Sequence, residues 1–503
     1  MNSDGDTLNY SIDQYHAEGL HEECGVFGVL SDGTLPVSYA CYNGLLALQH
    51  RGQESCGIAV SDEGVIDYHK NMGLVSEVFS NAILDSLNGQ MGISHVRYST
   101  AGGSVLENAQ PLVMRYVKGT IAVAHNGNLT NAVEIRRELE QRGAIFQTTI
   151  DSEVICYLIA RARLKCHSVE EAVIETMRRI KGAYSLLVMS PRKIIAARDP
   201  HGFRPLCLGK YNGSVVVASE SAALDACGAA FIRDVEPGEI IVIDGKGEEG
   251  YHSIRPDFPD KKKAICIFEY IYFARSDSMI DGMSVYEARK QAGSILARTC
   301  PVEADMVIGV PESGIDAAIG YAEASGIPYE KGIVKNAYIG RTFIKPTQSD
   351  RMKSVRIKLN PIADMVRGKR VVMIDDSIVR GTTIDRIVTM LREAGAKEVH
   401  MRISSPPFMW PCYYGTDIPS RGELIACNHS IEEITKLSGA DSLGYLPVEC
   451  LSEMLNYKNV DFCDGCFTGK YPADITHETF KGKERGGMNF DKDKKENCQG
   501  SDK

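Results

Sequence analysis

Three groups of residues in this sequence have types and spacings suited to chemistry. In VVMIDDSIVRGTT an apolar run ends on Asp375 and Asp376, and Ser377, Ile378, Val379, Arg380, Gly381, Thr382 and Thr383 follow at once. Hydroxyls and backbone N–H groups at a glycine turn that opens a helix hold phosphate, helped by the positive helix end. Paired carboxylates beside them suit ribose hydroxyls or Mg²⁺, although two acids before a helix are also an ordinary N-cap arrangement. Upstream, DMVIGVPESG ends a second apolar run on a turn, where Ser313 and Gly314 offer a hydroxyl and amides to a pyrophosphate or simply start a helix. Between the two, Arg341, Lys345, Arg351, Lys353, Arg356 and Lys358 form a basic stretch around Gly and Pro.

The second group is a single thiol. Cys24 opens the apolar run CGVFGVL, and inert burial is the commonest fate of a cysteine so placed. The third group is four thiols: Cys463 and Cys466 at C-x-x-C spacing, with Cys266 and Cys412 far upstream. Such a set fits zinc, a redox pair or an iron-sulfur centre, and spacing does not separate zinc from iron-sulfur.

The elements that must position these residues follow from periodicity. Val371 to Ile374 form a short buried-strand run, and Ile384, Ile387, Val388 and Leu391 then recur at helical spacing until Gly395 supplies a stop. This is the strand, loop and helix unit of a parallel sheet, whose ligands sit at the carboxyl edge. From Cys24 to about Ile243 the runs CGVFGVL, YSLLVMS, KIIAA and SVVVAS read as buried strands, separated by amphipathic stretches such as LTNAVEIRRELEQRG. Sheets covered by helices are expected there. The polar stretch 245 to 263, with two prolines and a charge run, is expected to be a linker.

Composition bounds the class. A chain of 503 residues exceeds one ordinary core, and 44% hydrophobic with 24% charged residues is globular. Lys and Arg total 56 against 66 Asp and Glu, so the net charge of -10 has the wrong sign for a nucleic-acid binder. No apolar run approaches about 18 residues, so no membrane segment is expected. Fifteen cysteines in a long chain do not resemble a secreted disulfide framework, and the expected setting is a reducing cytoplasm.

Two resemblances add to this reading. The string VVMIDDSIVRGTT resembles the phosphoribosyl pyrophosphate signature of type I phosphoribosyltransferases, with Arg380 before GTT resembling their amidotransferase branch. The ordered series CGVFGVL, LQHRGQESCGIA, SHVRYST, HNGNLTN and DSE resembles the N-terminal-nucleophile glutamine amidotransferases. Together the halves resemble the amidophosphoribosyltransferase family, in its iron-sulfur branch. The implied fold is an αββα sandwich of the N-terminal-nucleophile hydrolases, 24–258, followed by an α/β phosphoribosyltransferase with a parallel sheet, 259–475. Residues 1–23 would be a propeptide and 476–503 a disordered tail.

The resemblance also implies roles. Removal of the leader would free the α-amine of Cys24 to act as general base for its own thiol. Asn126 and the Gly127 N–H would form the oxyanion hole, while Arg97 and Asp151 would bind the α-carboxylate and α-ammonium of glutamine. Taken alone, Asn-Gly is a common turn, Arg97 a surface charge and Asp151 a helix N-cap. Residues 375–383 and Lys345, in a loop that closes over the substrate, would bind phosphoribosyl pyrophosphate, with one Mg²⁺ per subunit at Ser313, Asp375 and Asp376. Cys266, Cys412, Cys463 and Cys466 would hold one four-iron four-sulfur cluster per subunit. The implied reaction makes phosphoribosylamine, glutamate and pyrophosphate from glutamine and phosphoribosyl pyrophosphate, with ammonia passed internally, at the first step of purine synthesis. Inhibition by purine nucleotides of the AMP and GMP class and a homotetramer are implied as well.

Overall fold

The computed structural model describes residues 24–98, 103–259, 261–336, 358–381, 384–416, 418, 420–456 and 461–475. The expected leader, the tail and Lys345 lie outside them, as do Thr382, Thr383 and the basic stretch except Lys358.

The first half folds as two antiparallel sheets packed face to face. One has seven strands in the order Ala230–Asp234, Cys207–Tyr211, Ser214–Ala218, Gly25–Leu30, Met91–Arg97, Ser55–Asp62 and Val65–Met72. The other has six: Tyr251–Ile254, Ile240–Ile243, Lys193–Arg198, Gly182–Ser190, Gly119–Leu129 and Leu112–Tyr116. Alternate side chains explain the layering. Val26, Ile93, Ala122, Ala124, Leu187 and Val217 fill the space between the sheets. Phe27, Val29, Ile58 and Val96 point outward onto the helix Val37–Ala47, and Val123, Leu186 and Val188 onto the helix Ser152–Ala162. The αββα sandwich expected from the sequence is the observed architecture.

The second half is a parallel sheet in the order Met306–Gly309, Arg370–Asp375, Glu398–Ile403 and Ser442–Tyr445. Its central strand is apolar on both faces because helices cover both. Val372 and Ile374 meet the core with Val285–Thr299 and Gly314–Ser325, whereas Val371 and Met373 meet Ile384–Glu393. The expected helix face is the buried one: Ile384, Ile387, Val388 and Leu391 are all buried, and Gly395 turns at φ +99. One expectation needs correction. The stretch 245–263 is not simply a linker, because Tyr251–Ile254 pairs with Ile240–Ile243 as an edge strand of the six-stranded sheet. Its four residues, two exposed and two half-buried, form no apolar run to mark it.

The two halves share buried chemistry. Ala183 and Phe203 of the sandwich belong to the core of the second half, and Phe203 stacks on Tyr414 with ring centroids 4.2 Å apart. Arg198 pairs with Asp281 at 2.8 Å, and Arg51 with Glu269 at 2.7 Å. Burial alone would raise the Glu220 and Glu269 carboxyls, but the Arg51 guanidinium beside both, with His50 on Glu220 and Arg204 on Glu269, holds them below the usual range. Carboxyls depressed in the folded state contribute stability that is complete above the unfolded pKa and drains away below it. Stability should therefore decline as pH falls from about 4.3, the ordinary glutamate value. The heat-denaturation midpoint measured from pH 6 to pH 3 should show this, with a shallower decline in Glu269→Gln.

Candidate active site

The start of the strand Gly25–Leu30 carries Cys24, which is buried, at 6% exposure. Gly25 pairs with Val96, which brings Cys24 beside Arg97 at the end of the neighbouring strand. The Cys24 thiol lies 3.5 Å from the Tyr98 carbonyl oxygen, and the Cys24 carbonyl accepts from Arg51 Nε at 3.1 Å. Arg97 is itself buried, with Glu54 at 3.5 Å and the Gly103 carbonyl at 3.3 Å from its Nη1.

Across the sandwich, Asn126 and Gly127 lie within the strand Gly119–Leu129 rather than in a turn. Gly127 has φ +145, and a Cβ there would stand 2.0 Å from the Ala183 carbonyl oxygen, so only glycine fits. Asn126 is 1% exposed, yet neither its Nδ2 nor its Oδ1 has a hydrogen-bond partner among the described residues. Leaving a buried amide unpaired costs roughly 1–3 kcal/mol, which marks it as a group kept for a ligand. Asp151 occupies the N-cap position of Ser152–Ala162 but does not cap it. Its Oδ2 instead accepts from the Leu129 N–H at 2.9 Å, and its Oδ1 lies 3.6 Å from His125 Nδ1. Burial works to raise Asp151, but His125 and these hydrogen bonds leave it lowered, so it stays a carboxylate.

Cys24 and Gly127 are joined by a ring of contacts. Arg51 donates to Cys24 and to Glu269, and Glu269 also takes Arg204 at 3.4 Å. Arg204 donates to the Tyr414 carbonyl at 2.6 Å. The next residue, Gly415 at φ +114, is so close that a Cβ would lie 3.2 Å from the Gly127 carbonyl carbon. Asn128 adds a bond to the Tyr413 carbonyl at 2.9 Å. The second half therefore supplies one wall of the thiol site.

At the parallel sheet, the strand Arg370–Asp375 delivers both acids to its carboxyl end, as the sequence predicts. Ser313 donates to Asp376 Oδ1 at 2.6 Å and Ser377 to its Oδ2 at 2.5 Å. Gly314 begins its helix hard against this edge, where a Cβ would come within 2.4 Å of the Ile374 carbonyl oxygen. Burial and the Asp376 charge push Asp375 well above the usual carboxylate range. Burial also raises Asp376, against the lowering effect of the two hydroxyls. The Arg289 guanidinium acts on Asp376 but does not offset the crowding, so the two carboxyls are poised to receive a further cation. Ile378 and Val379 turn their side chains into the cores, so only their backbone is available to a ligand, and Arg380 reaches Glu423 at 3.2 Å.

The four thiols converge. Cys266 and Cys463 are paired residues of two short parallel strands, and burial, followed by the neighbouring Cys412, Cys266 and Cys463, pushes the Cys466 thiol well up. The Tyr414 N–H donates to Cys412 Sγ at 3.4 Å. Trp410, the chain's single tryptophan, donates its backbone N–H to the Cys466 carbonyl at 3.0 Å, and Arg421 lies 4.0 Å over its ring. Among the described residues no group of three or more His, Cys, Asp or Glu is arranged to hold a metal ion. No helix among them is long and apolar enough to cross a membrane.

Arg51 and Glu269 were given no role by the sequence. Arg51 stands in LQHRGQESCGIA, and Glu269 is the lone acid in the apolar aromatic run ICIFEYIYF, which is the signal a buried partner would leave.

A buried thiol and a buried amide without a partner among the described residues, both in an αββα sandwich joined to a parallel sheet with paired acids at its edge, define a glutamine amidotransferase fused to a phosphoribosyltransferase. The glutamine amidotransferase domain description matches residues 95–226 and the phosphoribosyl transferase domain description residues 284–404. The chain belongs to the amidophosphoribosyltransferase family. It is 51% identical to the amidophosphoribosyltransferase of Methanocaldococcus jannaschii, over 92% of this chain and 100% of that protein. It is 50% identical to that of Bacillus subtilis, over 92% of this chain and 96% of that protein. The solved structure of the B. subtilis glutamine phosphoribosylpyrophosphate amidotransferase complexed with ADP and GMP superposes with TM-score 0.84 at 49% identity, covering 90% of this chain and 98% of that one. The enzyme is a glutamine-dependent glycosyltransferase that acts at the first step of purine biosynthesis.

Proposed function

We propose that Cys24, freed of residues 1–23, attacks the side-chain amide of glutamine, with its own α-amine taking the thiol proton. The unpaired Asn126 amide carries this reading. Together with the Gly127 N–H it stabilises the oxyanion as the tetrahedral intermediate forms, and ammonia leaves a thioester for water to hydrolyse. Arg97 and Asp151 select the free amino acid by its carboxylate and ammonium. Ammonia then passes internally to the phosphoribosyl site. The proposed modules are 24–258 and 259–475.

At the second site, residues 375–383, with Lys345, hold phosphoribosyl pyrophosphate. Ser313, Asp375 and Asp376 are hard oxygen donors and suit one Mg²⁺, which when bound would neutralise the departing pyrophosphate. The carboxylates also balance positive charge that develops on the sugar carbon.

Cys266, Cys412, Cys463 and Cys466 suit a four-iron four-sulfur cluster. Such a cluster takes one thiolate per iron and does not require all four to meet around one ion. Its part is structural, since Cys412 leads into the turn that touches Gly127. Anaerobically purified protein should carry about four irons per chain in the visible absorption spectrum. Cys466→Ser should lose both the iron and the absorption band, and an iron-free wild-type chain with full activity would refute the assignment. Mass spectrometry of the active enzyme tests the other half of the reading, since its chain should begin at Cys24.

Purine nucleotides of the AMP and GMP class are the proposed inhibitors, consistent with the nucleotides in the B. subtilis complex. A homotetramer working in the cytoplasm completes the proposal.

A further inference from the structure

Glu220 is a buried carboxylate whose two oxygens serve different halves of the molecule. On the sandwich side, Oε1 accepts from Arg51 Nη1 at 2.6 Å and meets His50 Nε2 at 2.8 Å. On the transferase side, Oε2 accepts the Arg275 backbone N–H at 2.9 Å and the Ser278 hydroxyl at 2.7 Å. The next residue, Ser221, repeats the crossing by accepting the Met279 N–H at 2.8 Å.

Each end of this bridge leads to a site. Arg51 holds the Cys24 carbonyl, so a shift of its guanidinium moves the backbone that presents the nucleophile. At the other end, the Arg275–Ser278 turn is fastened to the wall of the phosphoribosyl pocket. Ser276 donates to Asp316, and Arg289 donates to Ser276 at 3.1 Å and lies 3.8 Å from Asp316. Asp316 belongs to the helix Gly314–Ser325, and the Ser313 that precedes this helix bonds to Asp376. Buried, mutually satisfied polar chains have few alternative arrangements, so a displacement at one end is passed along rather than absorbed.

We propose that Glu220 is a positioning residue for the glutaminase reaction: through Arg51 it sets the backbone of Cys24 according to the state of the Arg275–Ser278 turn, so that occupancy of the phosphoribosyl pocket is felt at the nucleophile. This rests on the reading that Cys24 and the pocket at Asp375 and Asp376 are the two reaction sites.

Glu220→Gln keeps the shape and breaks the bridge. An amide has one acceptor and one donor end, so its NH₂ must face either the Arg275 N–H or the Arg51 guanidinium, and one side of the bridge fails. Ser278→Ala is the milder cut and leaves Arg51 in place. The experiment measures glutamate release with and without phosphoribosyl pyrophosphate and Mg²⁺, and phosphoribosylamine synthesis from added ammonia. Wild type should be stimulated. Glu220→Gln should lower glutamine kcat/KM about tenfold or more and bring the stimulation ratio close to one, a coupling of ordinary size. Ammonia-dependent synthesis should stay within about twofold of wild type, since additive effects are expected of groups remote from that chemistry. Ser278→Ala should reduce the stimulation ratio while leaving unstimulated glutamate release as it was. If Glu220→Gln fails to fold, Ser278→Ala decides alone. Wild-type stimulation in Ser278→Ala, or equal losses with glutamine and ammonia in Glu220→Gln, would overturn the proposal while the two-site reading stands. A wild type that is not stimulated would overturn both.

Discussion

Cys24→Ala is expected to abolish phosphoribosylamine synthesis from glutamine, by about 10⁴-fold or more, because removing a nucleophile from such a unit leaves only binding and the oxyanion donors. Synthesis from added ammonia should persist within about twofold, since residues far apart act additively. The contrast follows from the architecture. Cys24 sits at the start of a strand in the sandwich, and the paired acids at the edge of a separate parallel sheet. Alanine keeps the buried volume close to that of cysteine and leaves the Arg51 bond to the backbone carbonyl unaffected, so loss of fold does not confuse the result. Steady-state rates with each nitrogen donor make the measurement. Substantial glutamine-dependent turnover in this variant would remove Cys24 from the reaction.

The second large effect falls on both nitrogen donors alike. Asp375→Asn combined with Asp376→Asn should reduce phosphoribosylamine formation about 10³-fold, the scale seen when preorganised charge is removed from a reacting centre. Both carboxyls are raised by burial and, for Asp375, by the neighbouring charge, so together they hold unfavourable negative charge that a cation and a positive sugar centre would relieve. Asparagine preserves shape and removes that charge. Because the raised carboxyls must be ionised to act, the wild-type rate with ammonia, corrected for the free-base concentration, should fall on its acid side at higher pH than an ordinary aspartate near 3.9 would give. Normal rates in the double variant would exclude these acids from the phosphoribosyl step.

How much of this was legible in the sequence depended on how local the signal was. The strand, acids and helix around Asp375 are contiguous, and a continuous apolar run followed by helical spacing marks them directly. The order CGVFGVL, HNGN and DSE marked the sandwich site as a series, though Asn-Gly by itself predicts a turn and the structure places it in a strand. The bridge through Arg51, Glu220 and Glu269 was not legible. Its partners lie 169 and 218 residues apart, and burial of charge shows only when the chain is folded. The edge strand Tyr251–Ile254 was hidden for a different reason: an edge needs only half its residues apolar, and the surrounding Gly, Pro and Lys outweighed them.

The position of Trp410 has a practical consequence. Because the chain has one indole, and the backbone N–H of that residue is bonded to the Cys466 carbonyl while Arg421 covers one face of its ring, its ultraviolet emission comes from a single, known point. Light chosen to pass over the tyrosines will therefore report on the immediate neighbourhood of the four thiols, turning an unmodified molecule into its own optical gauge for assembly or decay at that corner.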